Sequence, residues 1–314
     1  MQKYIAKRLF QMVIMVIGIT FIVFGSLYLA PGDPAEILAG ESATISDIEN
    51  IREYLGLNEP FFVQYGKYLE GLLHGDLGTS LQSRQPILDE IKIRFPNTVN
   101  LTIGSMLIAV IIGVPLGIIS AIKRNSILDY MATTTALFGV SIPNFWLGIM
   151  LILIFSVKLG WFPTGGMTHW FYTPTGIKQI ILPSIALGGR IAAIFMRLSR
   201  SAMLEVMQSD YIRTARAKGV KERVVIWVHA FKNALTPLIT VFGTTFGALL
   251  GGAMISEQVF AINGLGRYMI NAIYVRDYPA VQSSVLVFAV AFILVTLLVD
   301  IIYVLIDPRI SYES

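Results

Sequence analysis

A chain of 314 residues with only 14% charged and 55% apolar side chains is too poor in charge to cover the surface of a soluble protein of its size, where about 25% is usual. The same figures exclude disorder, which needs low hydrophobicity and high net charge. The lack of cysteine excludes a disulfide framework, a thiolate metal site and a cysteine nucleophile, and the net charge of +4 marks the cytoplasmic loops of a membrane protein rather than a nucleic-acid surface.

Six stretches reach the roughly 20 apolar residues that a bilayer crossing needs: 9–30, 99–122, 130–157, 179–200, 233–255 and 280–306. Lys3, Lys7 and Arg8 ahead of the first stretch resemble the basic start of a signal peptide. The apolar run is longer than the roughly 7–15 residues of a signal sequence, and no small-x-small cleavage site precedes Pro31, so it reads as a retained span. In the third stretch Pro143, between Ser141 and Asn144, predicts a kink or a break. Lys and Arg gather in the loops on one side, among them Lys123, Arg124, Arg213, Arg216 and Lys218, which predicts cytoplasmic N- and C-termini.

The segment 31–98 is too long for a structureless loop and predicts a small helical lid outside the membrane. Ser46 with Glu49 reads as a capping box, and Ile48, Ile51 and Leu55 form one face of a helix that Gly56 ends. Pro60 opens a second helix through Tyr65, Leu69 and Leu72, and Ile87, Ile91 and Phe95 mark a third set. The lid reads equally as a cap on the span ends or as a gate or docking surface for delivered substrate.

The cytoplasmic loop 201–231 holds the run Asp210-Tyr-Ile-Arg-Thr-Ala-Arg-Ala-Lys-Gly219. Asp210 near a helix start and Lys218 near its end both suit the helix dipole, and Gly219 can supply a left-handed stop. Ala215 and Ala217 keep the middle thin enough to lie close to another protein's backbone. The plain alternative is a solvated positive-inside loop. In span five Gly243, Gly247 and Gly251 share one face that packs either within the chain or against a partner subunit.

Four charges lie inside the spans, Arg190, Arg197, Arg200 and Asp300, and need an explanation. Arg197 and Asp300 lie at similar shallow depths from the inner boundary, which predicts a pair or an equivalent network, with snorkelling of Arg197 to the headgroups as the rival. Arg190 lies about 15 Å deeper than Arg200, near the middle of the bilayer core. It lines the translocation pathway or braces backbone carbonyls near the Pro143 break; with Asn144 at that break it makes up the candidate pathway set. No phosphate-binding G-x-x-x-x-G-K-[ST] loop is present, and His74, His169 and His229 are too widely separated to form one metal site.

Nearly end to end, the chain resembles the permease subunits of ATP-binding-cassette importers in the dipeptide, oligopeptide and nickel group. The resemblance rests on Ala30-Pro-Gly-Asp-Pro34, Gly75-Asp-Leu-Gly-Thr-Ser80, Ser141-Ile-Pro-Asn-Phe-Trp146, Leu159-Gly-Trp-Phe-Pro-Thr164, the run from Asp210 to Gly219, and Asn233-Ala-Leu-Thr-Pro237. Glu257-Gln-Val-Phe260, Gly264-Leu-Gly-Arg267, Arg276-Asp-Tyr-Pro279 and Asp307-Pro-Arg309 continue it in order. The general permease motif begins Glu-Ala-Ala, where this chain has Arg213-Thr214-Ala215, a difference the group itself shares.

The resemblance implies an all-α membrane protein of the type I importer permease fold. Its parts would be a basic segment with the first span (1–30), the lid (31–98) and a permease core (99–314). It implies a multi-pass subunit of a bacterial or archaeal cytoplasmic membrane with no cofactor or catalytic site of its own. The partners would be a second similar permease, two cytoplasmic ATPase subunits and an extracytoplasmic binding protein. Asp210, Tyr211, Arg213, Thr214, Ala215, Arg216, Ala217, Lys218 and Gly219 become the segment that couples to the ATPases. Import of dipeptides or oligopeptides is the expected function, with a nickel or metal-chelate importer as the near alternative. An ion-coupled transporter is the distant one, disfavoured because it would call for several intramembrane carboxylates. A membrane enzyme has no catalytic set here.

Overall fold

The computed structural model describes residues 2–29, 33–40, 43–54 and 56–306. Asp307, Pro308 and Arg309, with Ala30, Pro31, Gly32 and Leu55, lie outside the described residues. The described chain is helical, with one isolated bridge between Thr79 and Pro86. In order the helices are α1 (Gln2–Tyr28), α2 (Pro34–Ala39), α3 (Ile45–Tyr54), α4 (Phe61–Leu73), α5 (Ile87–Ile122) and α6 (Ile127–Ser141). They continue as α7 (Asn144–Lys158), α8 (Pro174–Met207), α9 (Asp210–Ala217), α10 (Glu222–Gly252), α11 (Met254–Val259), α12 (Leu265–Tyr274) and α13 (Tyr278–Ile306).

Helices α5, α8, α10 and α13 are each long and apolar enough to cross a bilayer. Helices α6 and α7 together are long and apolar enough for a fifth crossing, as a broken span or a re-entrant loop, and are bent by 100° at the Ile142–Pro143 break. Proline lacks the N–H that would continue the helix and forces the preceding residue out of the α region; Ile142 is extended, with ψ 125°. Helix α1, with its apolar described stretch Phe10–Ser26, corresponds to the first expected span. At 36 residues α5 is about 54 Å long, far more than a bilayer core of about 30 Å, so the expected third lid element is the projecting start of this one helix.

Two compact units make up the chain: residues 1–98 with 263–293, and residues 99–262 with 294–314. In the first, Asp33 caps α2 through the Ala35 N–H at 2.9 Å and also bonds Arg52 on α3. Burial opposes ionisation of Asp33, but Arg52 and the Ala35 amide together hold its carboxyl below the ordinary value. The capping box of α3 is Thr44 with Asp47, not Ser46 with Glu49: the Thr44 N–H donates to Asp47 Oδ2 at 2.9 Å and the Asp47 N–H to Thr44 Oγ1 at 3.3 Å. Ser46 already sits inside the first turn, and Glu49 instead pairs with Arg52 at 2.8 Å. Gly56 takes the expected left-handed conformation, with φ 68°. Helix α4 packs on α1 through aromatic rings: Phe61 meets Phe21, Phe24 and Tyr28, while the Tyr65 hydroxyl reaches Thr20 Oγ1 at 3.0 Å.

In the second unit α8 is the central helix, packed against α6, α7 and α10. Its contact with α5 is made through missing side chains. A Cβ on Gly113 would stand 2.4 Å from the Ala192 carbonyl oxygen, and one on Gly117 would stand 2.3 Å from that of Met196. From the other side a Cβ on Gly188 would meet the Ser105 oxygen at 2.5 Å. Apolar association between helices is weak in lipid, so this backbone approach supplies the dispersion contact that holds the pair. Gly243 packs within the chain against Val299, whereas Gly251 has nothing within 4 Å, so the expected three-glycine face is divided.

Candidate functional site

The segment from Asp210 to Gly219 folds as the short helix α9 followed by a left-handed exit. Gly219 has φ 75°, its N–H donates to the Arg216 carbonyl at 2.9 Å, and the Val220 N–H reaches back to Ala215 at 3.2 Å. One residue fastens the helix to the protein: Ile212 is fully buried among Ile118, Met203, Val225 and Ile226. Ala215, half-buried, also packs against this cluster. Asp210, Tyr211, Arg213, Thr214, Arg216, Ala217, Lys218 and Gly219 remain exposed on the other side.

That surface is partly fixed by its own charges. Arg216 makes a two-pronged pair with Glu222, at 2.6 and 3.1 Å, which ties the end of α9 to the start of α10. The Glu222 carboxylate raises the already high pKa of the guanidinium. Just beyond, Val225–Ala230 widens into a π-helical turn, a feature frequent where helices do work. The exposed face with Tyr211, Arg213 and Lys218 is therefore a rigid, basic, solvent-facing knob.

A second site lies at the α6–α7 break. A cavity of about 330 Å³ is lined there by Ser141, Pro143 and Asn144, by Leu187 and Arg190 of α8, and by Ser256 of α11. The two residues singled out for the pathway, Arg190 and Asn144, thus border one space. Arg190 is exposed to it near the middle of α8 and has no hydrogen bond or ion pair among the described residues. Among the described residues, Arg190 makes no hydrogen bond to a carbonyl near Pro143.

The shallow arginine pair differs from expectation. Arg200, not Arg197, carries it, and the carboxylate is Asp129, not Asp300. Arg200 Nε lies 2.7 Å from Asp129 Oδ1 and Nη2 lies 2.8 Å from Oδ2. Ser120 and the Asn125 N–H, at 3.0 Å, complete the carboxylate's shell. Arg197 points outward from the same helix. The sequence concealed this because Asp129 precedes the third uncharged stretch and reads as a loop residue.

The motifs of the first unit also meet. Asp277 of Arg276-Asp-Tyr-Pro279 is buried and accepts from Ser80 Oγ, the Leu81 N–H at 3.2 Å and the Ala280 N–H at 3.3 Å. Ser283 donates to the Leu77 carbonyl at 2.9 Å. The Gly75–Ser80 turn is thus a built platform, and its carboxylate anchor was not singled out from sequence. In the second unit, Gly166 donates to the Phe260 carbonyl at 2.8 Å, and a Cβ on Gly165 would stand 2.5 Å from that oxygen. No group of three or more His, Asp or Glu side chains suited to a metal occurs among the described residues.

Residues 113–312 match the family described as the binding-protein-dependent transport system inner membrane component, and residues 1–102 match its N-terminal family. A dipeptide transport system permease protein of Alkalihalophilus pseudofirmus is 46% identical over 99% of this chain and 100% of its own length. Glutathione transport system permease proteins of Pectobacterium atrosepticum and Escherichia coli are 44% and 42% identical, covering 100% of both chains in each case. Among solved structures, an inward-facing conformation of the MetNI methionine ABC transporter superposes with a TM-score of 0.57. That match covers 69% of this chain and 96% of the other at 21% identity, a likeness of fold.

Proposed function

The chain belongs to the family of binding-protein-dependent transport system inner membrane components, and from that premise we propose that it is one membrane-spanning permease subunit of an ATP-driven importer of dipeptides or oligopeptides. The observation that carries this reading is full-length similarity to permeases named for dipeptide and glutathione transport. A second, similar permease completes the pathway, two cytoplasmic ATPase subunits drive it and an extracytoplasmic binding protein delivers the peptide. Both termini lie in the cytoplasm, in keeping with the basic loops.

In this reading the exposed face of α9 seats in a groove on an ATPase subunit. Ile212 and the Arg216–Glu222 pair make the seat stiff, so that movement of the ATPases reaches α8 and α10 and is not lost in a flexible loop. The ion-driven alternative loses further ground. Asp129 is a carboxylate within the broken span, but it is held by Arg200 and so is not a free proton carrier.

Arg190 offers a counter-charge to a passing peptide carboxylate, at a depth where a cation lacking a partner is costly unless it faces a wet cavity. Uptake by Arg190→Gln should fall selectively for peptides with a free C-terminus and much less for C-terminally amidated ones. Equal loss for both would assign Arg190 a structural role, and unchanged uptake of both would remove it from the pathway.

A further inference from the structure

We infer that an exposed stripe along α10 is the pathway wall between the Arg190 cavity and the cytoplasm, an uncharged run of hydrogen-bond acceptors along which a peptide leaves. This rests on the importer reading above and adds the residues that the cargo meets after Arg190. Asn233, Pro237, Thr240, Thr244, Ala248 and Gly252 are all exposed. At about 100° per residue they fall within about a third of the helix circumference. The stripe starts where Ala230 and Ala234 pack with Ile118 and Met203, near the inner ends of α5 and α8. It ends at Gly252, which lines the same cavity as Arg190 and Asn144.

The chemistry of this stripe is wrong for lipid. On α5, level with the stretch of α8 just below Arg190, the exposed residues are Ile111, Ile112 and Leu116, at 67%, 47% and 41%. Among the described residues 231–252, the exposed large apolar side chain is Phe242, on roughly the opposite face of α10. The stripe offers oxygen instead. Thr240 Oγ1 donates to the Thr236 carbonyl at 3.3 Å and Thr244 Oγ1 to the Thr240 carbonyl at 3.2 Å. Each hydroxyl directs its proton to its own helix and keeps its lone pairs for a donor outside. Asn233 Nδ2 likewise donates to the His229 carbonyl at 2.8 Å, which leaves Oδ1. Pro237 has no N–H to offer the Asn233 carbonyl, a further acceptor beneath the same face. Hydrocarbon gives such acceptors nothing, whereas water and the N–H groups of a peptide match them. With Arg190 facing the carboxylate at the top and no charge among the stripe residues, the wall guides a peptide without holding it.

The chain contains no cysteine, so a single introduced one is the only thiol it can present. Thr240→Cys, Thr244→Cys and Ala248→Cys are compared with Ile112→Cys and Leu116→Cys on α5. Each is assembled into the full transport complex in nanodiscs and treated, during turnover, with a charged, membrane-impermeant thiosulfonate. The α10 positions should react at least about tenfold faster than the α5 positions, because thiolate and reagent both need water. Dipeptide uptake by each unlabelled variant in proteoliposomes shows that it folds. Labelling Thr244→Cys with a bulky reagent before reconstitution should reduce that uptake to background. Slow labelling on α10, with or without disulfide cross-linking to the second permease, would mean that protein or lipid covers the stripe. Fast labelling that leaves uptake intact would make it a wet crevice off the path. Either result overturns the assignment while ATP-driven uptake by the unlabelled complex, and with it the importer reading, stands. Failure of the importer reading would show instead as no ATP-driven uptake by the wild-type complex.

Discussion

Gly219→Val is expected to leave the subunit folded and inserted while separating ATP hydrolysis from peptide uptake. A Cβ at this position would meet nothing within 4 Å, so the substitution creates no clash. Its effect lies in the backbone. At φ 75° a β-branched residue is strongly disfavoured, and holding it there costs about 1–3 kcal/mol. The exit from α9 responds by leaving the left-handed region, which breaks the closing bonds from Gly219 to Arg216 and from Val220 to Ala215. Ile212 lies a full turn or more away and still anchors the start of the helix. The exposed face then keeps its residues but loses its fixed presentation to the ATPase. Gly219→Asn, which tolerates the left-handed region, should retain most uptake. Wild-type uptake with wild-type substrate-stimulated hydrolysis in the valine variant would remove α9 from the coupling path.

Arg200→Met is expected to produce the larger loss of stability, about 3–5 kcal/mol, because it leaves the buried Asp129 carboxylate without its counter-charge. The two sides of the pair are unequal. The Asp129 side chain is only 4% exposed, whereas Arg200 is 28% exposed and has a long stem that can carry its charge toward the headgroups. Asp129→Asn should therefore cost less than Arg200→Met, since the amide keeps a partner role for Ser120 and the Asn125 N–H. Adding Asp129→Asn to Arg200→Met should recover much of the loss. Thermal unfolding of the purified variants gives the comparison; equal and additive losses would mean that the two residues are not coupled.

Much of the architecture was legible because a bilayer imposes length and apolarity on whatever crosses it. The break at Pro143 and the left-handed stops at Gly56 and Gly219 were legible because proline and glycine act locally. What escaped was set by partners distant in sequence. Asp129 looked like a loop residue until Arg200, from another helix, came to meet it. The α5–α8 contact rests on Gly113 and Gly117, whose four-residue spacing is a legible packing signal, but the sequence does not show that they face Ala192 and Met196. Helix α12 was not anticipated, although Leu265, Met269 and Ala272, all buried, fall at helical spacing within its short span. Thr44–Asp47 fits the same capping pattern as the expected Ser46–Glu49 pair two residues on, and only the backbone chooses between them.

Uptake of a labelled dipeptide into proteoliposomes tests the central claim most directly. The account predicts transport only when this chain is reconstituted with its companion permease and ATPases, with ATP on the cytoplasmic side and the binding protein on the other. Uptake by this chain alone, driven by a proton or sodium gradient and indifferent to ATP, would contradict it.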